Sequence, residues 1–567
     1  MTSFRPLLVL FLAATLVGCS AARDVATPAP TAPAIERVQD PTEPATEAPS
    51  AAEDPAPARL VAAPPAWLEL DETADAVRGI SLNQAYRALD GRTPQREVIV
   101  AVIDSGVDTT HEDLQGRLWR NEDEIAGNGV DDDGNGYVDD VHGWNFLGGP
   151  DGANVFHDTY ELTREVLRLR PRYRDADPAA LDPAGREEYD YYQSLERELA
   201  AKRAEYEAVL PQMQQIEEAT QRAVSILEPT LGSGPYSAEK LEPGMLDTPA
   251  VLQAKGLVSY LLQSGFTPAD ITQQRIQVAN MLKYGYNLEF DPRPVVGDDY
   301  DDTNERYYGN GDVTGPYPNH GTSVAGVIAA IRGNEAGTRG VAPDTLVYVM
   351  PIRAVPSGDE RDKDVANAIR YAVDNGALVV NMSFGKSYSP DKDAVDAAVR
   401  YAEERGVLLV HAAGNSAEDI DRAANFPSQV LSDGARASNW LEVGASSWDP
   451  DAFAASFSNY GVTNVDLFAP GEAIDVLEPA NATTRVDGTS VAAPVVSGIA
   501  ALLLSYYPDL SPLDVREILL ESAVPYRGVP AIRPGSGDEV DFATLSVTGA
   551  VVNAWRAVEL ADTRVGN

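Results

Sequence analysis

The chain has 567 residues, with 44 Lys and Arg against 87 Asp and Glu, a formal charge of −43. Such a charge repels phosphate backbones and anionic lipid, which sets nucleic acid aside as a partner, and it suits hard cations such as calcium. A single cysteine, Cys19, excludes an intramolecular disulfide and a cysteine-rich zinc site.

Residues 1–18 read as a secretory signal: Arg5 in a short n-region, then an apolar run from Leu7 to Val17, too short to span a bilayer. Leu16-Val17-Gly18-Cys19 resembles the lipobox of bacterial lipoproteins, which implies cleavage before Cys19 and acylation of that cysteine as a membrane anchor. Ser20, where an aspartate would imply retention in the inner membrane, implies the outer membrane. Residues 19–65, rich in Ala, Pro, Thr and Glu, have too little apolar surface to fold and are expected to form a tether. Order is expected to begin near Trp67, with 66–150 as the first part of a catalytic domain.

From Glu97 onward, near-continuous apolar runs read as strands of a parallel sheet covered on both faces: "EVIVAVID" (97–104), "TLVYVMPIRA" (345–354), "ALVVNMSFG" (377–385), "VLLVHAAGN" (407–415) and "WLEVGASS" (440–447). Amphipathic helices alternate with them, at 362–376 and 393–406, each stopped by a glycine. The expectation is an open, doubly wound α/β fold whose ligands bind beyond the carboxyl ends of the strands.

Residues 151–300 interrupt that alternation and read as a helical insertion, the sheet domain resuming over 301–567. From Tyr192 apolar residues recur at spacings of three and four, but Pro211 falls inside the pattern, so two antiparallel helices are expected. Thr267, Pro268 and Asp270 fit a helix cap, a first-turn proline and a capping-box acid.

A serine becomes a nucleophile only when a base takes its proton, so "DGTSVAAP" (487–494) prompts a search for a histidine, a carboxylate and an oxyanion donor. Of five histidines, His320 stands out, in "PNHGTSVAGVIAA" at the first turn of a small-residue helix. Ser490 has the same placement, where backbone N–H groups and the helix dipole favour a developing anion. Asp104 ends the first strand in "VIDSGVD".

The motifs "VIDSGVD", "HGTSVAGVIAA" and "GTSVAAP", in that order, resemble those of the subtilisin-like serine proteases, the subtilases. The resemblance covers about 91–150 and 300–561. It implies a serine endopeptidase acting on proteins or peptides, with Asp104 orienting His320, His320 as general base and acid, and Ser490 as nucleophile. It also implies Asn415 of "HAAGN" as oxyanion donor, and a substrate pocket of Ser383, Phe384 and Gly385 opposite Ala413 and Gly414. By the same likeness, 354–359 ("AVPSGD") is an edge along which an extended substrate pairs. Val491 stands where the family usually has Met, a change conservative in packing. A monomer is expected. The competing reading is an envelope binding or scaffold lipoprotein on the same fold, with catalysis lost or incidental.

In "GNGVDDDGNGYVDD" (127–140), Asp131, Asp133, Asn135 and Asp139 copy ligand positions of an EF-hand-like calcium loop, with Gly136 at its turn. His142 replaces the final bidentate glutamate. "GDDYDD" (297–302) is a weaker cation candidate. The insertion enters between the Asp104 and His320 motifs, so it either borders the active-site end of the sheet or forms a lateral appendage.

Overall fold

The computed structural model describes residues 62–244, 247–334, 337–344 and 346–566; the signal, Cys19 and the tether up to residue 61 lie outside the described residues. Its strands are β1 (Val98–Asp104), β2 (Trp144–Asn145), β3 (Val347–Arg353), β4 (Val379–Met382), β5 (Leu408–Ala412), β6 (Trp440–Ser446), β7 (Leu467–Pro470), β8 (Ile474–Glu478), β9 (Ala482–Val486), β10 (Val524–Pro525), β11 (Pro530–Ile532), β12 (Glu539–Asp541) and β13 (Ala550–Val551). Nine of them form one sheet in the order β10-β13-β7-β6-β5-β4-β1-β3-β2, parallel throughout except for the β10–β13 pair. The pairs β8–β9 and β11–β12 are separate antiparallel hairpins.

The longer helices are α1 (Leu82–Ala88), α2 (Glu161–Tyr173), α3 (Pro183–Leu231), α4 (Pro249–Gln263), α5 (Pro268–Asn280), α6 (Asn319–Ala329), α7 (Asp362–Asp374), α8 (Lys392–Glu404), α9 (Thr489–Tyr506), α10 (Pro512–Ser522) and α11 (Ala554–Val565). Side chains alternate across a strand, and β1 shows the consequence. Val98, Val100 and Val102 enter a core with residues of α6, α9, α10 and α11, whereas Ala101 and Ile103 enter a second core with residues of α7 and α8. The sheet is therefore covered on both faces, which is why its strands are apolar at nearly every position. The apolar helix α9 is long enough to cross a membrane, yet it is almost wholly buried at the centre of the first core.

Helices α2 to α5 all lie between β2 and α6 in the chain. One expectation is corrected here: 183–231 is a single helix of 49 residues, not two, and Pro211 and Pro229 sit inside it. Proline removes one N–H and clashes with the carbonyl four residues back, a loss of about 3 kcal/mol in a helix interior. Pro211 and Glu207, whose carbonyl is freed, are both on the solvent side. Packing continues on either side of the proline: Tyr192, Leu195 and Leu199 meet Leu162, Val166 and Leu169 of α2, and Ala223 and Leu227 meet Ala254 and Val258 of α4. Arg275 of α5 also pairs with Glu217 at 2.9 Å. Those contacts hold the rod together across a defect that faces water. The cap at α5 forms as the sequence suggests, with Thr267 and Asp270 bonding reciprocally to each other's backbone.

Candidate active site

Asp104, 1% exposed, ends β1, and its two oxygens lie 2.8 and 2.9 Å from His320 Nδ1. Oδ1 also accepts the Ser105 N–H at 2.7 Å, so the carboxylate is held from both sides. His320 is the second residue of α6. The next residue must be glycine: a Cβ on Gly321 would stand 2.2 Å from the Gly106 carbonyl and 3.2 Å from Asp104 Cβ. That close approach brings the helix start onto the end of β1. With Nδ1 donating to Asp104, Nε2 carries the lone pair, and it has no hydrogen-bond partner among the described residues.

Ser490 is the second residue of α9. A Cβ on Gly488 would fall 2.8 Å from Ser490 Oγ and 3.6 Å from both Asn415 Nδ2 and Ser490 N. A hydroxyl and two N–H donors thus surround one small volume that glycine leaves open, the arrangement an oxyanion needs. The Asn415 amide is oriented from behind. Its Oδ1 accepts the Thr489 N–H and Oγ–H, both at 2.9 Å, and the Gly414 N–H donates to Thr489 Oγ1 at 3.1 Å. Thr489 as the holder of Asn415 was missed in the sequence, although its place in "GTS" between Gly488 and Ser490 was the available signal.

Pro494 explains a further contact. Lacking an N–H, it leaves the carbonyl of Ser490, four residues back, without its helical partner. Ser383 Oγ donates to that carbonyl at 2.8 Å, while Asn381 Nδ2 donates to Ser383 Oγ and Asn381 Oδ1 accepts from Ser497 Oγ, both at 2.9 Å. Ser383 therefore anchors the start of α9 as well as bordering the cleft, and Asn381 ties β4 to the same helix.

The other expected pocket residues are distributed unevenly. Phe384 is half-buried and meets His411 edge to face at 6.2 Å. His411 is fully buried, and its Nδ1 lies 3.0 Å from Glu442, which also accepts Trp440 Nε1 at 2.8 Å. Gly385 and Gly414 have no room for a side chain, since a Cβ would come within 2.6 Å of Asn425 Oδ1 or 2.5 Å of Asn459 Nδ2. Ala413 is fully buried in a third apolar cluster with Phe453 and Phe468, so only its backbone is left to border a substrate.

Carboxylates also converge at the acidic loop, but not the expected four residues. Oxygens of Glu124, Asp133 and Asp140 lie within 4.8 Å of one another. Asp139 accepts the Asn128 and Gly129 N–H groups instead, and Asp131 accepts those of Asn135 and Gly136. Asn135 bridges Asp133 and Asp140 through Nδ2 at 3.0 and 3.1 Å, and Asn121 does the same at 3.0 and 2.9 Å. Glu124 was missed because it precedes the loop template, and Asp140 because it falls at a position of the template, between Asp139 and His142, that is assigned no ligand. Burial pushes the Asp140 carboxyl up to about 6, against hydrogen bonds from Tyr371, Asn135 and Asn121. The second candidate, 297–302, is differently used: Asp298 pairs with Arg293 at 2.5 Å and Lys363 at 2.7 Å.

Comparison with known proteins matches residues 95–550 to the Subtilase family. The chain is 37% identical over 205 residues to M-protease of Shouchella clausii (strain KSM-K16), covering 36% of this chain and 49% of that protein. It is 37% identical to Subtilisin Savinase of Lederbergia lenta, covering 36% of this chain and 70% of that protein. With Subtilisin DY of Bacillus licheniformis the identity is 37%, over the same shares. The match spans about half the length of several of these relatives, including M-protease, a thermostable alkaline protease and an alkaline elastase.

Proposed function

Because this chain belongs to the subtilase family, we propose that it is a serine endopeptidase that hydrolyses peptide bonds through an acyl-enzyme on Ser490. The observation that carries this reading is the His320–Asp104 pair together with the convergence of Ser490 Oγ, Ser490 N and Asn415 Nδ2 beside Gly488. In the first half-reaction Ser490 Oγ attacks the scissile carbonyl carbon and its proton passes to His320 Nε2. The carbonyl oxygen, now negative, accepts from Asn415 Nδ2 and Ser490 N. As the C–N bond breaks, His320 returns the proton to the leaving amine, and a water then repeats the sequence to free the acid. Asp104 stays ionised throughout and stabilises the imidazolium.

The lipobox-like run before Cys19 supports export and attachment to the bacterial outer membrane through an acylated Cys19. One experiment reads both proposals: the protein purified from bacterial membranes is treated with a fluorophosphonate and mapped by mass spectrometry. The expected result is an adduct on Ser490, absent in His320→Ala, and acyl chains on Cys19. A folded protein that takes no label would instead support the scaffold reading, and an unmodified Cys19 would remove the anchor.

The Glu124, Asp133 and Asp140 cluster fits a hard cation, since its ligand atoms are all oxygens and two of the three carboxylates are buried. We propose calcium there, held by those three side chains. Asp140 has its pKa raised from 3.8 to about 6 in the metal-free fold, so the folded state binds the extra proton. Metal-free stability should therefore fall as pH rises between about 4 and 6, and calcium should offset the loss above that window. Melting temperatures across this range with and without calcium test it. A calcium-independent melting point in wild type, or an unchanged calcium response in Asp140→Asn, would remove the site.

A further inference from the structure

The crevice beyond Asp104 is bridged at one end by Lys386, which side chains from the insertion hold in place. β1 lies between β4 and β3, so the segments that leave those two strands, 383–386 and 354–361, border the crevice beyond Asp104. One edge of the second segment is already covered. Ser357 N–H donates to the Phe156 carbonyl at 2.8 Å, Asp158 N–H to the Ser357 carbonyl at 3.1 Å, and Asp359 N–H to the Thr159 carbonyl at 3.4 Å. The chain bends at Gly358, and beyond it Arg164 Nη2 of α2 reaches the carbonyls of both Asp359, at 3.2 Å, and Glu360, at 3.1 Å. On the other wall Lys386 exchanges backbone bonds with Phe426 at 3.0 and 2.9 Å on the outer side, which turns Ser383 and Gly385 inward. The backbone groups of Gly358 and Gly385 have no hydrogen-bond partner among the described residues.

Beyond Gly358 the Glu360 carbonyl is also joined to the opposite wall. Lys386 Nζ crosses from the opposite wall to it at 2.8 Å, and Arg164 Nη2 of α2 reaches it at 3.1 Å. Lys386, with its side chain 1% exposed, is fixed there by Glu161 at 2.7 Å and Asp362 at 2.8 Å, and Glu161 in turn holds Arg164 at 2.6 Å. A substrate strand that starts at Ser490 would use Ser383 for its first residue, Gly358 for its second and Gly385 for its third. A fourth would meet the Lys386–Glu360 bridge that spans the two walls. Five carboxyls around the plug, Asp158, Glu161, Asp359, Glu360 and Asp362, share the three cations Arg164, Arg361 and Lys386. Glu360 Oε1 is buried without a hydrogen-bond partner, and burial raises the Asp359 and Glu360 carboxyls. With Glu360 raised to about 8 and so protonated near neutral pH, a cation placed beside it would favour its ionised form.

We propose that the crevice admits three residues on the amino side of the scissile bond and favours a free α-ammonium there, so that tripeptides are released from the amino termini of substrates. This rests on the serine-peptidase chemistry proposed above and replaces internal cleavage with cleavage near the amino terminus. The test uses the mature protein with two libraries of peptidyl-aminocoumarins, free tripeptides and acetylated pentapeptides. The expected kcat/KM ratio is about 100-fold in favour of the free tripeptides, because longer chains displace buried charge pairs. Lys386→Gly should reduce that ratio about tenfold; should the variant not fold, the two libraries on the unaltered protein still decide. Equal or better cleavage of acetylated pentapeptides by protein that a fluorophosphonate labels at Ser490 overturns this inference alone. Absence of both label and cleavage overturns the peptidase reading beneath it.

Discussion

Ser490→Ala is expected to lower turnover by about 10⁶-fold, the size of the same loss in the related subtilisin. The substitution removes the Ser490 hydroxyl beside Gly488 and adds no volume, while Thr489, Ser383 and Pro494 continue to hold the start of α9. Binding should consequently survive. The measurement pairs single-turnover kinetics with the affinity for an uncleaved peptide. Unchanged affinity with lost turnover identifies Ser490 as the nucleophile, whereas a loss of less than about tenfold would place the chemistry elsewhere. Residual activity of about 10³ to 10⁴ over water is expected from Asn415 and the Ser490 N–H, which the substitution leaves in place.

Asp104→Asn is the second large effect, about 10⁴-fold in turnover. Size and burial are conserved, and the amide oxygen can still accept the Ser105 N–H now 2.7 Å from Oδ1. The change acts on the proton. A carboxylate, with both oxygens within 2.9 Å of His320 Nδ1, demands a hydrogen there and so leaves a lone pair on Nε2. An asparagine that bonds Ser105 through its oxygen turns N–H groups toward the ring, favouring the tautomer with its hydrogen on Nε2, which cannot take a proton from Ser490. Turnover measured with the melting temperature separates this from unfolding. The expected pairing is a drop of about four orders of magnitude with a nearly unchanged melting point; comparable falls in both would show that Asp104 is needed for the fold and not for the tautomer.

Much of the architecture was legible because it depends on local patterns. Apolar runs at 97–104 and 407–415 are strands buried on both faces, and the motifs around Asp104 and His320 place glycines where two segments approach within about 2 Å of a Cβ. The continuity of α3 was not legible, since whether Pro211 breaks a helix depends on which way it faces and what packs on either side. The cation cluster was misread for a related reason. A linear template assigns ligands by spacing, yet Asp131 and Asp139 turn to nearby N–H groups, while Glu124 precedes the template and Asp140 sits at a position that it leaves unassigned.

By itself, the order of residues determined the α/β class and singled out Asp104, His320 and Ser490 as the candidate set and 151–300 as a candidate insertion, because each is written in periodicity or in a short contiguous motif. Only the tertiary structure decided that Asn381, Ser383 and Thr489 hold the proposed nucleophile and oxyanion donor, and that Glu161 meets Lys386 across 225 positions of chain and Arg164 meets Glu360 across 196. Those contacts join residues far apart in the sequence, and their energy comes from burial and hydrogen-bond geometry that exist only once the sheet and insertion have packed.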